Sequence, residues 1–440
     1  MEIMLTGGSF MVTIKAPRGV RDILPEESWK WSHVLKRASR MADLFAYREI
    51  HLPVFEHTEL FSRGIGENTD VVDKEMYTFK DRADRSLTLR PEATASIVRA
   101  YNEDRMDNGQ QPVKLWTSGP MFRYERPQKG RYRQFWQLDF EALGSKSPYV
   151  DVEIIKLAID LFTDLGLSKL DVVINSVGCP ECRPDYTRKL KEYFRPRLDS
   201  LCKTCQDRFE RNPLRILDCK NESCKKITEN APDIYESLCK DCRDHFDAVT
   251  QGLERLHISF HLDKRLVRGL DYYTKTAFEV LSGELGSQNA VCGGGRYDNL
   301  SDTVGGVSLP AVGFAAGLER IVLVMEQQNC SFGHEPGIEV YVISADNEAR
   351  QEVLSLVSDL RGRGISCDMD FLERSIKAQF KSADNKGAAY ACIIGHDEIA
   401  SGNVTVKDLD SGKQDNLKKE ELFAFLTEGL KDWKRREKDR

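Results

Sequence analysis

The chain has 440 residues, 40% of them hydrophobic and 30% charged, with a formal net charge of −6. That length allows two or three domains with ample core, and the composition is that of an ordinary soluble globular protein, not a disordered or fibrous one. The mildly acidic balance excludes an indiscriminate polyanion binder, and the absence of any run of about 18 apolar residues excludes an expected transmembrane helix.

The N-terminus, MEIMLTGGSFMVTIKAPRG, lacks the basic-then-apolar order of a signal peptide. Met11 is as good a start as Met1, which would make the first ten residues a disordered extension. Residues 27–47 read as a helix, and YREIHLPVFEH as a strand broken by Pro53. Residues 91–106 read as a helix with proline in its first turn. VKLWTSGPMFRYE and RQFWQLDFEALG then read as two long antiparallel strands around the polar loop RPQKGRY. Residues 151–166 have the spacing of an amphipathic helix, and VVINSVG that of a strand. Residues 179–260 change texture: they are helical, rich in cysteine, and look inserted. Strand signals return in LVRGLDYYTKTAFEV, in NAVCGGGRYDNL and in the run into VGFAAGLER, after which residues 317–328 show helical spacing. From Gly337, beyond a GHEPG linker, strands and helices alternate with short loops. That alternation describes a separate α/β domain, with a hairpin turning at Asp410–Gly412 and a final helix.

Charge is uneven along the chain. Residues 183–226 hold thirteen Lys/Arg against seven Asp/Glu, and RYERPQKGRYRQ holds five basic residues against one acid. Basic patches on an acidic chain fit a specific polyanion contact, although either patch alone is equally a solvated helix or hairpin face. No phosphate-loop, zinc-protease, nucleophile-elbow or kinase signature is present, and CGGGRYDNL lacks the context of a dinucleotide fingerprint. What remains is a set of arginines on strands and loop edges: Arg90, Arg123, Arg268 and Arg320. Guanidinium groups bind phosphate bidentately and stay charged, so with Glu92, Gln137 and Glu141 they could hold a triphosphate and a zwitterion together. In LVRGLDYY a cation, an acid and two phenols crowd into six residues, either as the polar positions of an edge strand or as a pocket wall.

Taken in order, FRYERPQKGRYRQFWQLDFE, LVRGLDYY, GGRYDNL and GFAAGLER resemble the bacterial histidyl-tRNA synthetase family, over almost the whole chain from Pro17. EIHLPVFEHTELF resembles motif 1 of the class II synthetases, FRYE through DFE motif 2, and GFAAGLER motif 3. LRPEATA, LVRGLDYY and GGRYD resemble the histidine-specific signatures. The resemblance implies an α/β protein of three parts. An α+β catalytic domain (11–178 and 261–332) would have a mainly antiparallel sheet, a helical cysteine-rich insert would span 179–260, and an anticodon-binding α/β domain 337–430. It implies a cytoplasmic homodimer that activates L-histidine with ATP and Mg2+ and charges tRNA(His). Arg123 and Arg268 would stabilise the α-phosphate, Arg268 standing where other class II enzymes place a metal ion. Phe135 and Arg320 would sandwich adenine. Glu92, Ala93, Thr94 and Gln137 would surround the α-ammonium of histidine. Glu141 and Tyr273 would bond its imidazole, with Tyr297 closing the pocket and Tyr272 beside it, a packing neighbour. Asp271 would orient backbone or Arg268. Arg126, Lys129 and Arg131 would approach the tRNA acceptor end. Ala93 departs from the family's usual glycine, and Trp136 from its frequent histidine; neither change removes a functional group.

Two other readings compete. The histidine-binding regulatory subunit of ATP phosphoribosyltransferase shares the fold, but typically loses the C-terminal domain and several pocket arginines that this chain keeps. A zinc-dependent RNA-binding module would rest on the insert alone and leave the Arg/Glu pocket unexplained. Eight of the twelve cysteines form four close pairs: Cys179/Cys182, Cys202/Cys205, Cys219/Cys224 and Cys239/Cys242. Two such pairs complete a tetrahedral zinc site, and cytoplasmic chemistry disfavours disulfides. The pairs combine into two sites in three ways, or remain eight thiols packed as small apolar side chains.

Overall fold

A computed structural model describes the chain apart from residues 1–3, 7, 8, 12, 13, 67, 68, 129, 286–288, 334, 336 and 440. The chain divides into two compact units, Met1–Phe332 and Gly333–Arg440.

In the first unit six strands form an antiparallel run, in the order Leu170–Ser176, Thr274–Ser282, Ala290–Arg296, Ala311–Gly317, Gln134–Leu143 and Val113–Phe122. Short parallel strands, His261–Leu262 and Arg48–Glu49, close its two edges. The sheet is therefore mainly antiparallel, as the resemblance implies.

Strand alternation sorts side chains onto two faces. Leu138, Phe140 and Ala142 face a core shared with helices Pro25–Leu44, Pro148–Asp164 and Leu318–Gln327. Gln137, Asp139 and Glu141 point the opposite way, and that second face carries the site.

Several boundaries differ from expectation for identifiable reasons. The helix expected over 91–106 is Thr94–Glu103, because the Glu92 carboxylate accepts the Thr94 and Ala95 N–H groups (2.7 and 3.0 Å) and caps it there, leaving Pro91 outside. The strand expected through Pro53 is two pieces: Arg48–Glu49 joins the main sheet, while Phe55–His57 enters a separate sheet with Ser86–Leu89 and Tyr77–Lys80. The N-terminal segment expected to be disordered has Met4–Thr6 paired with Ser9–Met11. The last helix of the expected insert, Lys240–Arg255, belongs to the main core through Phe246, Val249 and Leu253. It is tied there by a buried ionic group: Asp151 accepts from His245 Nε2 (3.0 Å) and from the fully buried Arg296 guanidinium. Burial alone would raise the Asp151 carboxyl, but the His245 hydrogen bond and the Arg296 charge hold it below the usual range. Arg296 is thus a structural arginine inside the GGRYD signature.

The second unit has a five-stranded sheet in the order Cys367–Met369, Val340–Ser344, Tyr390–Ile394, Asn403–Asp408 and Gln414–Lys418. The first three are parallel and the last two form the expected hairpin. Helices Arg350–Gly362 and Lys419–Asp439 supply Val353, Leu356, Val357, Leu422 and Leu426 to its core.

Candidate active site

Glycines on the sheet make room for charged side chains to lie flat across it. A Cβ at Gly313 would collide with the Glu141 carboxylate, and one at Gly293 with the Arg268 guanidinium. The runs CGGGR and VGFAAG are therefore clearances, built into strands where glycine otherwise weakens pairing.

Glu141 is 1% exposed. It accepts from Thr94 Oγ1 (2.7 Å) and from the Tyr297 hydroxyl. Thr94 also gives its backbone N–H to Glu92, which is 3% exposed and lies 3.5 Å from the Tyr272 hydroxyl. Tyr272 packs between Tyr273 and Tyr297, at ring separations of 4.7 and 5.6 Å. Glu92, Thr94, Glu141 and the three tyrosines thus form one buried polar cluster, with Ala93 fully buried beside it. Ala93 has φ −100°, a conformation any residue adopts, so the departure from glycine carries no strain.

Burial pushes the Glu141 carboxyl up to about 8, with the neighbouring Glu92 charge adding to the effect and the Tyr297 and Thr94 hydrogen bonds opposing it. Glu92 is also raised by burial. The sign for stability follows from linkage. Below the ordinary value of 4.5 Glu141 is protonated in both states and carries no penalty. As pH climbs towards about 8 the unfolded chain ionises first, so folding loses stability across that window. Glu141→Gln is expected to be more stable than the parent by a margin that widens from about pH 5 to about pH 8. Urea midpoints measured at both values check this, and equal margins would refute it.

Beside this cluster lies a cavity of about 260 Å³ lined by Arg123, Phe135, Gln137, Arg268, Glu279 and Arg320, among others. Arg123 stacks 5.3 Å from the Phe135 ring centroid and anchors its Nε on the Pro91 carbonyl (2.9 Å). Arg320 donates to the Ala290 carbonyl. Arg268 pairs with Glu279 and lies 5.5 Å from the Tyr273 ring centroid, while its Nε is buried without a hydrogen-bond partner. Burial disfavours its charge, but the Tyr273 phenol and the Glu279 carboxylate outweigh that and hold it firmly cationic. Three oxygens are also unpartnered: Gln137 Oε1 and both oxygens of Asp139. Burial, then the Glu141 and Glu92 charges, keep Asp139 well above the carboxylate range.

Some expected residues lie elsewhere. Arg90 is a buried brace, its Nε on the Pro120 carbonyl and Nη1 on the Leu52 carbonyl (3.0 and 3.1 Å), so two of its three guanidinium nitrogens are bonded to backbone. Asp271 does not pair with Arg268: it accepts from Asn212 Nδ2 of the insert (2.9 Å). Arg131 lines the cavity, ion-paired to Glu125 (2.7 Å), whereas Arg126 is exposed and Lys129 lies outside the described residues. The Trp136 ring packs on Trp31, away from the site, and the Trp136 backbone N–H donates to Glu319 (3.1 Å). Sequence reasoning missed Asp139, Glu279 and Glu319. The period of two from Gln137 through Asp139 to Glu141 is a signal for the first, and Glu319 stands beside Arg320 in GFAAGLER; nothing local flags Glu279.

The cysteines form two quartets, Cys179/Cys182/Cys239/Cys242 and Cys202/Cys205/Cys219/Cys224, with all sulfurs of a quartet within 4.8 Å of one another. One of the three possible pairings is therefore selected.

Residues 19–321 match the family model described as histidyl-tRNA synthetase, and 339–429 match an anticodon binding domain. A histidine–tRNA ligase of Pelotomaculum thermopropionicum is 50% identical over 94% of this chain and 97% of its own. The crystal structure of apo S. aureus histidyl-tRNA synthetase superposes with a TM-score of 0.80 at 36% identity, covering 94% of this chain and all of that one. A Bacillus halodurans protein described as an ATP phosphoribosyltransferase regulatory subunit/histidyl-tRNA synthetase shares the fold at a TM-score of 0.62 and 22% identity, over 88% of this chain and 99% of its own. Both units thus match near-full-length relatives in sequence and fold, and the chain belongs to the histidyl-tRNA synthetase family.

Proposed function

We propose that the protein is a histidine–tRNA ligase. One observation carries the reading: carboxylates suited to an ammonium and an imidazole (Glu92, Glu141) are buried beside a cavity lined by Arg123 and Arg268. A site that must pair buried polar groups rejects ligands lacking the partner, often by factors near 10⁴. The α-ammonium would lie against Glu92 and Gln137, and the imidazole between Glu141 and Tyr273. ATP would enter with its α-phosphate on Arg123 and Arg268 and its adenine between Phe135 and Arg320.

The histidine carboxylate oxygen would then attack the α-phosphorus as the bond to pyrophosphate breaks, leaving histidyl-adenylate. In the second step the 3′-terminal ribose hydroxyl of tRNA(His) attacks the acyl carbon and AMP leaves. No covalent enzyme intermediate is required, since positioning and fixed charge supply the rate. Oxygen donors suited to a hard cation line the cavity at Asp218, Glu279 and Glu319, and magnesium would neutralise charge on the outer phosphates.

Arg126 and Arg131 would face the acceptor end, with the second unit reading the anticodon, whose unstacked bases suit protein recognition. Exposed Phe55 and Phe79, paired at 6.3 Å on the three-stranded sheet, support a homodimer through the motif 1 region. All twelve cysteines are free of disulfides, which suits a cytoplasmic location. No helix among the described residues is long and apolar enough to cross a membrane.

ATP–pyrophosphate exchange with each amino acid in turn tests the reading. Exchange with histidine alone is expected. Silence with all amino acids would favour the non-catalytic histidine-binding alternative.

A further inference from the structure

The sulfur quartets have the dimensions of metal knots. Cys179 Sγ lies 3.5 Å from Cys182 Sγ and 3.8 Å from Cys239 Sγ; Cys202 Sγ lies 3.8 Å from Cys219 Sγ. With zinc–sulfur bonds of about 2.3 Å, a tetrahedral ZnS₄ site has edges of about 3.8 Å. Each quartet also receives a backbone N–H on sulfur: Cys239 N on Cys182 (3.1 Å) and Cys202 N on Cys224 (3.2 Å). Such bonds stabilise thiolate and orient the ligand around a metal. Eight thiols placed only as small apolar side chains have no reason to converge in fours.

What the second quartet encloses gives it a role. Between Cys205 and Cys219 runs an arm, residues 212–218, that reaches the substrate cavity. Arg215 Nη1 donates to the Arg268 carbonyl (3.1 Å), Asn212 Nδ2 donates to Asp271 (2.9 Å), and Asp218, next to Cys219, lines the cavity. The first quartet acts on the same segment from behind. Arg183, next to Cys182, donates to the carbonyls of Val177 (3.1 Å) and Tyr273. Leu266–Tyr273 belongs to no strand or helix, so these side-chain bonds substitute for a ladder in holding it.

We propose that the insert carries two structural zinc ions, one on each cysteine quartet, and that the second fixes the 212–218 arm so that Asn212 and Arg215 position the Arg268–Asp271 segment. Each ion would displace the thiol protons of its four ligands. Asn212 and Arg215 are positioning residues: they touch the segment's carbonyl and carboxylate, not the reacting atoms. The positioning role rests on the synthetase reading; the metal sites do not.

Elemental analysis of the full chain purified without chelator is expected to find two zinc ions, and the Cys202→Ser/Cys219→Ser variant one. Amide hydrogen exchange over 266–273 should rise when that second ion is lost. Arg215→Ala should keep both ions, raise the same exchange, and lower kcat for histidine-dependent pyrophosphate exchange about tenfold, as expected for loss of one buried hydrogen bond, with Arg215→Lys partly restoring it. If the cysteine variant does not fold, the Arg215 pair and the zinc content of the parent still decide. A zinc-free parent with eight titratable thiols overturns the proposal even if it activates histidine, and so does Arg215→Ala with unchanged exchange at 266–273. A parent holding two zinc ions that exchanges with no amino acid would sink the synthetase reading and leave the metal sites standing.

Discussion

Arg268→Ala is expected to slow adenylate formation by about 10²-fold or more, since removing one preorganised charge from a developing anion typically costs about 2.7–4 kcal/mol. The expectation rests on how Arg268 is held. The guanidinium lies over Gly293, is braced by Glu279, lines the substrate cavity and keeps a buried, unpartnered Nε. Little reorganisation is then needed when charge builds on the α-phosphate. Histidine affinity should fall much less, because Glu92, Glu141 and Tyr273 remain. Single-turnover activation and calorimetric histidine binding separate the two effects, and an unchanged activation rate would remove Arg268 from the chemistry.

Ending the chain after Phe332 should have the opposite signature. The first compact unit ends at that residue, and every pocket residue lies before it. Histidine-dependent pyrophosphate exchange should therefore survive, while tRNA charging drops steeply with the loss of the unit matched to an anticodon-binding domain. A truncated protein that charges tRNA as efficiently as the full chain would assign residues 337–430 some other task.

The paired long strands, the glycine-rich strands and the C-terminal βα alternation were legible because each has a strong period or a turn signal of its own. The strand Gln134–Leu143, for example, falls within the expected run RQFWQLDFEALG. The three-stranded sheet holding Tyr77–Lys80 was not, since short strands exposed on one side carry little hydrophobic pattern. The resemblance pointed to the pocket residues, but not to their relations. Asp271 reads as a neighbour of Arg268 three residues away, yet its partner is Asn212, which is 59 positions distant. Arg90 reads as a phosphate ligand because it is an arginine among arginines, and only tertiary contact shows its Nε and Nη1 bonded to backbone carbonyls. Likewise four close cysteine pairs announce a quartet but cannot say which pairs meet.

The glycine clearances under Glu141 and Arg268 set stability against function. Glycine inside a strand is worse than alanine by roughly 0.5–1 kcal/mol, so a search for thermostable variants would favour filling such positions. At Gly293 and Gly313 the added methyl would occupy the space of the Arg268 guanidinium or the Glu141 carboxylate. The chain can be hardened at its surface and in its helices, but these two sheet positions must stay bare for the guanidinium and the carboxyl above them to remain in place.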